Sequence, residues 1–395
     1  MNLSTQSDFH LRPPESGWSL SDAMLVLEDR VVAGQVHVDG GMISGVTHSD
    51  AANGASIDCD GDFLLPGLID LHTDNVECHF FPRPGVQWPI GLGAVLAHDQ
   101  QMVCAGITTV LDSLALGDYQ SGGGRARILR TAIEEISRAR NEGLFRAEHF
   151  FHFRCEVSDP LLIEIVERFL DLPALRLLSV MDHTPGQRQW RDLALFRNYR
   201  REKKGVIWTD PEFEQYLEEC RKVQEEFAPK FRRLIHEAAV TLGVPVASHD
   251  DTTVADVEES HSNGISLSEF PTTVDAARRA RELGMLNIMG SPNIVLGGSH
   301  SGNVSAAVLS DLGLLDILTS DYVPSSLLQA PFMLADRGVP LHSAVAMVTA
   351  TPANAMGFSD RGRVAPGLRA DLVRIRLVDG VPVVRSVWVA GRQYL

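Results

Sequence analysis

The chain has 395 residues, 44% of them hydrophobic and 22% charged, with a formal net charge of −16. That composition fills a large core, no apolar run approaches the ~20 residues of a membrane helix, and the acidic balance argues against nonspecific nucleic-acid binding. No charged-then-apolar leader opens the sequence, and five irregularly spaced cysteines (Cys59, Cys78, Cys104, Cys155, Cys220) argue for a reducing cytoplasm rather than a disulfide framework.

In chain order, Met24 to Val46 reads as short strands separated by Gly and Asp turns, and Gly362 to Gly391 reads the same way at the far end. Neither segment buries a sheet alone. Together they predict a small β-sandwich built from residues 1–62 and 359–395, leaving 63–358 for a metal-dependent (β/α)8 barrel.

Within that span apolar runs alternate with helical patterns at Arg125–Glu142, Pro211–Leu242 and Val274–Leu283. Eight strands are expected near 64–72, 106–112, 148–156, 175–182, 244–249, 265–270, 285–290 and 316–321. Several of these runs end in metal-competent residues. The first reaches His72 and Asp74, the third Glu156, the fourth Asp182-His183, the fifth His249-Asp250-Asp251 and the last Asp321. Strand side chains alternate faces, so His72 and Asp74 project together. A parallel barrel collects all its strand ends at one rim, so residues far apart in the chain become neighbours there. The charged stretch from Arg188 to Arg233 is either a solvated helical insertion or a lid.

Six strand-end groups make the expected metal set: His72, Asp74, Glu156, His183, His249 and Asp321. Two dications about 3.5–4 Å apart need an anionic bridge. Every lysine (Lys203, Lys204, Lys222, Lys230) lies in the charged helical stretch, which leaves Glu156 as the bridge by elimination. Nitrogen and oxygen donors suit zinc and tolerate manganese or iron. Asp321 is the expected catalytic proton acceptor.

The run Gly290 to Asn303 follows the seventh strand, where barrels often bind phosphate, and its backbone amides and the start of an apolar helical stretch at Val304 suit an anion. Asn293, Ser299, His300, Ser301 and Asn303 are its candidate contacts, with Arg83, Arg154 and Arg188 as candidate phosphate forks.

Leu65-Pro66-Gly67-Leu68-Ile69-Asp70 with His72, and the terminal Ala370-Asp371-Leu372-Val373, resemble the amidohydrolase superfamily. His72-Thr73-Asp74-Asn75, Pro82-Arg83-Pro84 with Trp88, Gly106 to Asp112, Met181 to Gln189, Ala247 to Asp251, Glu269 to Thr273, Pro292-Asn293 through Asn303, and Leu314 to Tyr322 resemble its PhnM family of phosphonate metabolism over nearly the whole chain. The resemblance implies cleavage of α-D-ribose 1-methylphosphonate 5-triphosphate to the 5-phosphate and diphosphate in the carbon–phosphorus lyase pathway. Water would attack the α-phosphorus while arginines hold the triphosphate. A homo-oligomer and association with other phosphonate-pathway proteins are further expectations. His-Thr-Asp in place of His-x-His, and the missing strand lysine, leave one or two metals open. The competing expectations are a cyclic-amide hydrolase or deaminase of the same superfamily, and a catalytically silent scaffold.

Overall fold

A computed structural model describes residues 17–48, 55–117, 124–299 and 302–395. The chain opens with β1 (Trp18–Val26), β2 (Val31–Asp39), β3 (Met42–Thr47), β4 (Ala55–Asp58) and β5 (Phe63–Pro66). Gly40 and Gly41 join β2 to β3 with φ of 55° and 82°, the pair of positive angles that a two-residue hairpin loop with the strand twist requires.

The barrel follows as β6 (Leu68–Thr73), β7 (Ile107–Leu116), β8 (Glu148–Glu156), β9 (Leu175–Met181), β10 (Val246–His249), β11 (Leu267–Glu269), β12 (Leu286–Gly290) and β13 (Ile317–Thr319). All successive pairs are parallel. The ring closes where Asp321 N donates to His72 O at 2.9 Å and Asp74 N donates to Asp321 O at 3.0 Å. Beside this seam Asp70 Oδ1 accepts from Ser320 N at 3.0 Å and His72 N at 3.3 Å. β6 and β7 are buried along their whole lengths, as parallel strands covered by helices are.

After the barrel come β14 (Leu372–Val378), β15 (Val381–Val389) and β16 (Arg392–Gln393). These join the amino-terminal strands in one sheet of order β16-β15-β14-β5-β1-β2-β3, with β4 also paired to β1. Its ends meet: Ile43 N donates to Leu368 O, Ala370 N to Gly41 O and Gly391 N to Ala370 O, so the sheet wraps Leu20, Val36, Val38, Ile43, Leu372 and Trp388 into their own core.

One expected strand divides. The run expected as a single strand near 64–72 breaks at Gly67, with β5 pairing to β1 and β14 in the terminal sheet and β6 opening the barrel. A Cβ on Gly67 would lie 2.2 Å from Thr108 Oγ1, so only glycine fits this crossing. The charged stretch forms a short 3₁₀ turn at Arg188–Trp190, helix Leu193–Lys204 and the 33-residue helix Asp210–Leu242. That long helix is fastened to the barrel rim, where Asp182 Oδ2 accepts from Arg232 at 2.8 Å and from Gln224 at 3.0 Å. No helix among the described residues is long and apolar enough to cross a membrane.

Candidate active site

A cavity of about 190 Å³ opens at the carboxyl ends of the barrel strands. His72, His183, His249 and Asp321 of the expected metal set line it, as do Arg154, Asn293, Ser299 and Asn303 of the expected phosphate contacts. Asp74 stands beside Arg154, 3.6 Å away, and pairs with Arg125 at 3.3 Å. Glu156 stands behind His183. Arg83 is exposed in the turn it shares with Val86, and Arg188 is buried in ion pairs with Asp251 and Glu259, so neither lines the cavity. His300 and Ser301 lie outside the described residues.

Each lining imidazole is held from behind by a carboxylate. Glu156 Oε2 is 2.6 Å from His183 Nδ1, and its Oε1 accepts from Ser158 Oγ at 2.6 Å. Glu269 holds two rings at once, His72 Nδ1 at 2.7 Å and His249 Nδ1 at 2.8 Å. With their Nδ1 atoms so engaged, His183 and His249 turn Nε2 toward Asp250, each 3.6 Å from its Oδ2. Two nitrogens and one oxygen thus converge within 4.8 Å of one another, a donor set that fits a divalent cation, and the carboxylates behind the rings fix their tautomer and direction. His152 also lies close to His72 and Glu269. Its nitrogens are already taken by Ser113 Oγ, Leu71 O and Ser179 Oγ at 2.9–3.0 Å, and burial pushes its imidazolium down to about 3, so it packs the barrel interior as a neutral ring.

The backbone pays locally for this convergence. Asp250, Phe270 and Asp321, the residues just past β10, β11 and the last barrel strand, have φ of 59°, 54° and 54°, a left-handed conformation that non-glycine residues adopt at a cost. Charge is concentrated as well. Burial alone would depress the His183 imidazolium, but Glu156 and Asp250 carry it up to about 10. Burial favours a neutral Glu269, yet the two imidazoles bonded to it, His72 and His249, outweigh it and hold its carboxyl well below the usual range. Burial and then the neighbouring Asp74 push Asp321 up to about 7, against the opposing pull of Arg154. Arg154 is itself buried, and its Nε and Nη1 have no hydrogen-bond partner within the protein.

The run from Gly290, expected as a glycine-rich turn leading into a helical stretch at Val304, departs from that expectation at both ends. It makes a short helix Ser291–Val295, and the next helix begins only at Ala306, whose N–H donates to Asn293 Oδ1 at 2.9 Å. Asp250 and Glu269 were not among the expected site residues. Both close strand runs that had been recognised, so the rule that picked out His72 and Asp321 applies to them equally.

Comparison with known proteins places this geometry. The amidohydrolase family profile matches residues 243–394. The chain is 42% identical over 377 residues to the alpha-D-ribose 1-methylphosphonate 5-triphosphate diphosphatase of Escherichia coli (strain K12), a match spanning 95% of this chain and 99% of that protein. It is 27% identical to an adenine deaminase of Nitratidesulfovibrio vulgaris, of which it spans 55%. Among solved structures, dihydropyrimidinase from Brevibacillus agri superposes with a TM-score of 0.63 over 96% of this chain and 95% of that one, at 14% identity. N-acetylglucosamine-6-phosphate deacetylase from Pasteurella multocida does so with a TM-score of 0.59 over 96% and 100%, also at 14% identity. Near-complete overlap at 42% identity with the Escherichia coli protein, on a barrel whose strand ends gather a donor set fit for a cation, means that the chain belongs to the amidohydrolase superfamily and, within it, to the same family as that diphosphatase.

Proposed function

We propose that the protein hydrolyses α-D-ribose 1-methylphosphonate 5-triphosphate to α-D-ribose 1-methylphosphonate 5-phosphate and diphosphate, as a cytoplasmic step of phosphonate catabolism. The observation that carries this reading is the 42% identity spanning 99% of the Escherichia coli enzyme. The cavity's chemistry supports it. A polyanionic substrate needs fixed cationic charge, and Arg154, beside Asp74, has N–H groups there that make no hydrogen bond, with Asn293, Ser299 and Asn303 around the same space.

His183, His249 and Asp250 would hold one divalent cation, and a second would draw on His72 and Asp321, which line the same cavity, and on Asp74 beside Arg154, with zinc the best fit and manganese or iron tolerated. Bound there, such a cation supplies Lewis acidity and water of lowered pKa. The protein does the rest. Arg154, Asn293, Ser299 and Asn303 orient the triphosphate so that its α-phosphorus faces Asp321. Asp321, at the cavity wall formed by the last strand end, takes the proton of the attacking water. Glu156 and Glu269 keep the imidazoles from rotating out of place.

Purified protein supplied with zinc or manganese is expected to release diphosphate from the ribose phosphonate triphosphate and to leave dihydroorotate, hydantoins and adenine unchanged. The reverse pattern would favour the cyclic-amide hydrolase or deaminase reading. Asp321→Asn is expected to lower kcat ~10²–10⁴-fold with metal still bound. Full turnover in that variant would remove Asp321 from the proton-transfer role.

A further inference from the structure

Behind the site, between β7, β8 and helix Gly91–Cys104, a chain of ionisable side chains runs wholly buried. Asp112 is its centre, with Oδ1 2.8 Å from His98 Nε2 and Oδ2 2.9 Å from His149 Nδ1. On one side His149 Nε2 lies 3.4 Å from Asp99 Oδ1, and Asp99 accepts from the backbone of Arg146 and Ala147 and from the Arg146 guanidinium, each at 2.9 Å. On the other side His98 Nδ1 is 3.1 Å from Asn75 Nδ2, which also donates to Gln101 Oε1 at 3.0 Å.

The donors settle what this cluster is. An amide nitrogen only donates, so His98 Nδ1 accepts from Asn75 and carries its proton on Nε2, pointing at Asp112. Both Asp112 oxygens thus already receive an N–H, and the trio is a hydrogen-bonded strut rather than a cation cradle. The strut reaches the active site at one place, because Asn75 directly follows Asp74. Asp74 is tied to the barrel seam by its own N–H and faces Arg154 with its carboxylate. Arg125 also holds the Asp74 carboxylate, and on the other side of that turn the Asn75 amide is held from outside the cavity by His98, Gln101 and His79.

We infer that His98, anchored on Asp112, is a positioning residue that acts through Asn75 to set the Asp74 carboxylate at the cavity. A residue that orients a site group from behind in this way is typically worth ~10–100-fold in activity or metal affinity. The inference uses the diphosphatase reading for its assay.

Three variants test it. His98→Leu removes both the donor and the acceptor, His98→Gln keeps one of each, and Asn75→Ala cuts the link while leaving His98, Asp112, His149 and Asp99 in place. His98→Leu and Asn75→Ala are each expected to lower kcat ~10–100-fold with little change in KM. His98→Gln should recover most of the loss, and the double variant should be no worse than either single one, because both cut the same path. Wild-type kcat in the singles, equal losses in the Leu and Gln variants, or losses that multiply in the double variant would each overturn the inference. If His98→Leu does not fold, Asn75→Ala decides alone. Wild-type protein that turns over no triphosphate would instead sink the diphosphatase reading. Divalent metal retained per chain after dialysis then tests the inference by itself: lower in His98→Leu and Asn75→Ala but not in His98→Gln supports it, and equal retention in all three overturns it.

Discussion

Glu269 uses each carboxylate oxygen on a different imidazole, so a single side chain sets the direction of both His72 and His249. An amide cannot do this. In Glu269→Gln one end of the side chain becomes a donor, and the histidine it faces must move its proton to the nitrogen that should meet the cation. Metal affinity is expected to fall ~10–100-fold in a competitive chelator titration. Unchanged affinity would mean that the two rings are held by packing and not by this carboxylate. A different residue pair governs stability against pH. Burial opposes charge at both His149 and Asp112, yet Asp112 and Asp99 hold His149 up at about 9 from 6.5, while His149 and His98 hold Asp112 down at about 2 from 3.8. The His149 contribution is therefore complete below 6.5 and lost as pH rises through about 9, and the Asp112 contribution is complete above 3.8 and lost as pH falls through about 2. Denaturant midpoints of the wild type and His149→Asn should differ most between those limits and converge toward pH 10. A gap that stays constant would show that His149 is not charged in the folded protein.

At the scale of elements, Gly67 is the joint between the two units of the chain. It separates β5 from β6 without a loop, and Thr108, itself buried, fills the space where a Cβ would go. Gly67→Ala must push β7 off β6 or twist the entry to the barrel, and a loss of about 1–3 kcal/mol is expected from overpacking. Urea denaturation would measure it, and a midpoint equal to the wild type would show that the seam has slack. The same joint explains what the sequence could and could not reveal. Periodicity finds the apolar run from Leu64 to His72, because both halves are buried. It cannot see that the run changes sheets, since pairing partners such as β14 lie some three hundred residues away. Strand ends were legible for a similar reason: His72, His249 and Asp321 break apolar runs, and a parallel barrel brings such breaks together. Asp250 and Glu269 end recognised runs just as legibly, but which of several strand-end acids meets a given imidazole is set by distances to His183, His72 and His249 that no run reveals. Arg188 runs the other way. An arginine on a Pro-Gly turn suits phosphate, but here Asp251 and Glu259 neutralise it first.

For the whole molecule, the candidate cation-binding groups would tie together parts of the barrel that are otherwise joined only edge to edge. His72 comes from β6, His183 from the end of β9, His249 and Asp250 from β10, and Asp321 from beyond the last barrel strand. Their carboxylates also gather negative charge in a protein whose net charge is already −16, so an empty centre is held together against its own repulsion. A ligand that binds only the folded state stabilises it by about 2.7 kcal/mol at a hundred times its Kd. Treatment with a strong chelator is therefore expected to abolish diphosphate release and to lower the thermal midpoint by several degrees, with zinc or manganese restoring both. The terminal sheet has its own core around Leu20, Val36 and Trp388, which includes none of these donors, so the loss should fall on the barrel. Hydrogen exchange can see the difference: amides at the ends of β6, β9 and β10 should gain exchange on metal removal while those of β1 and β2 stay protected. Uniform loosening of both units, or none in either, would mean that the strand-end groups do not carry the cation that holds this rim closed.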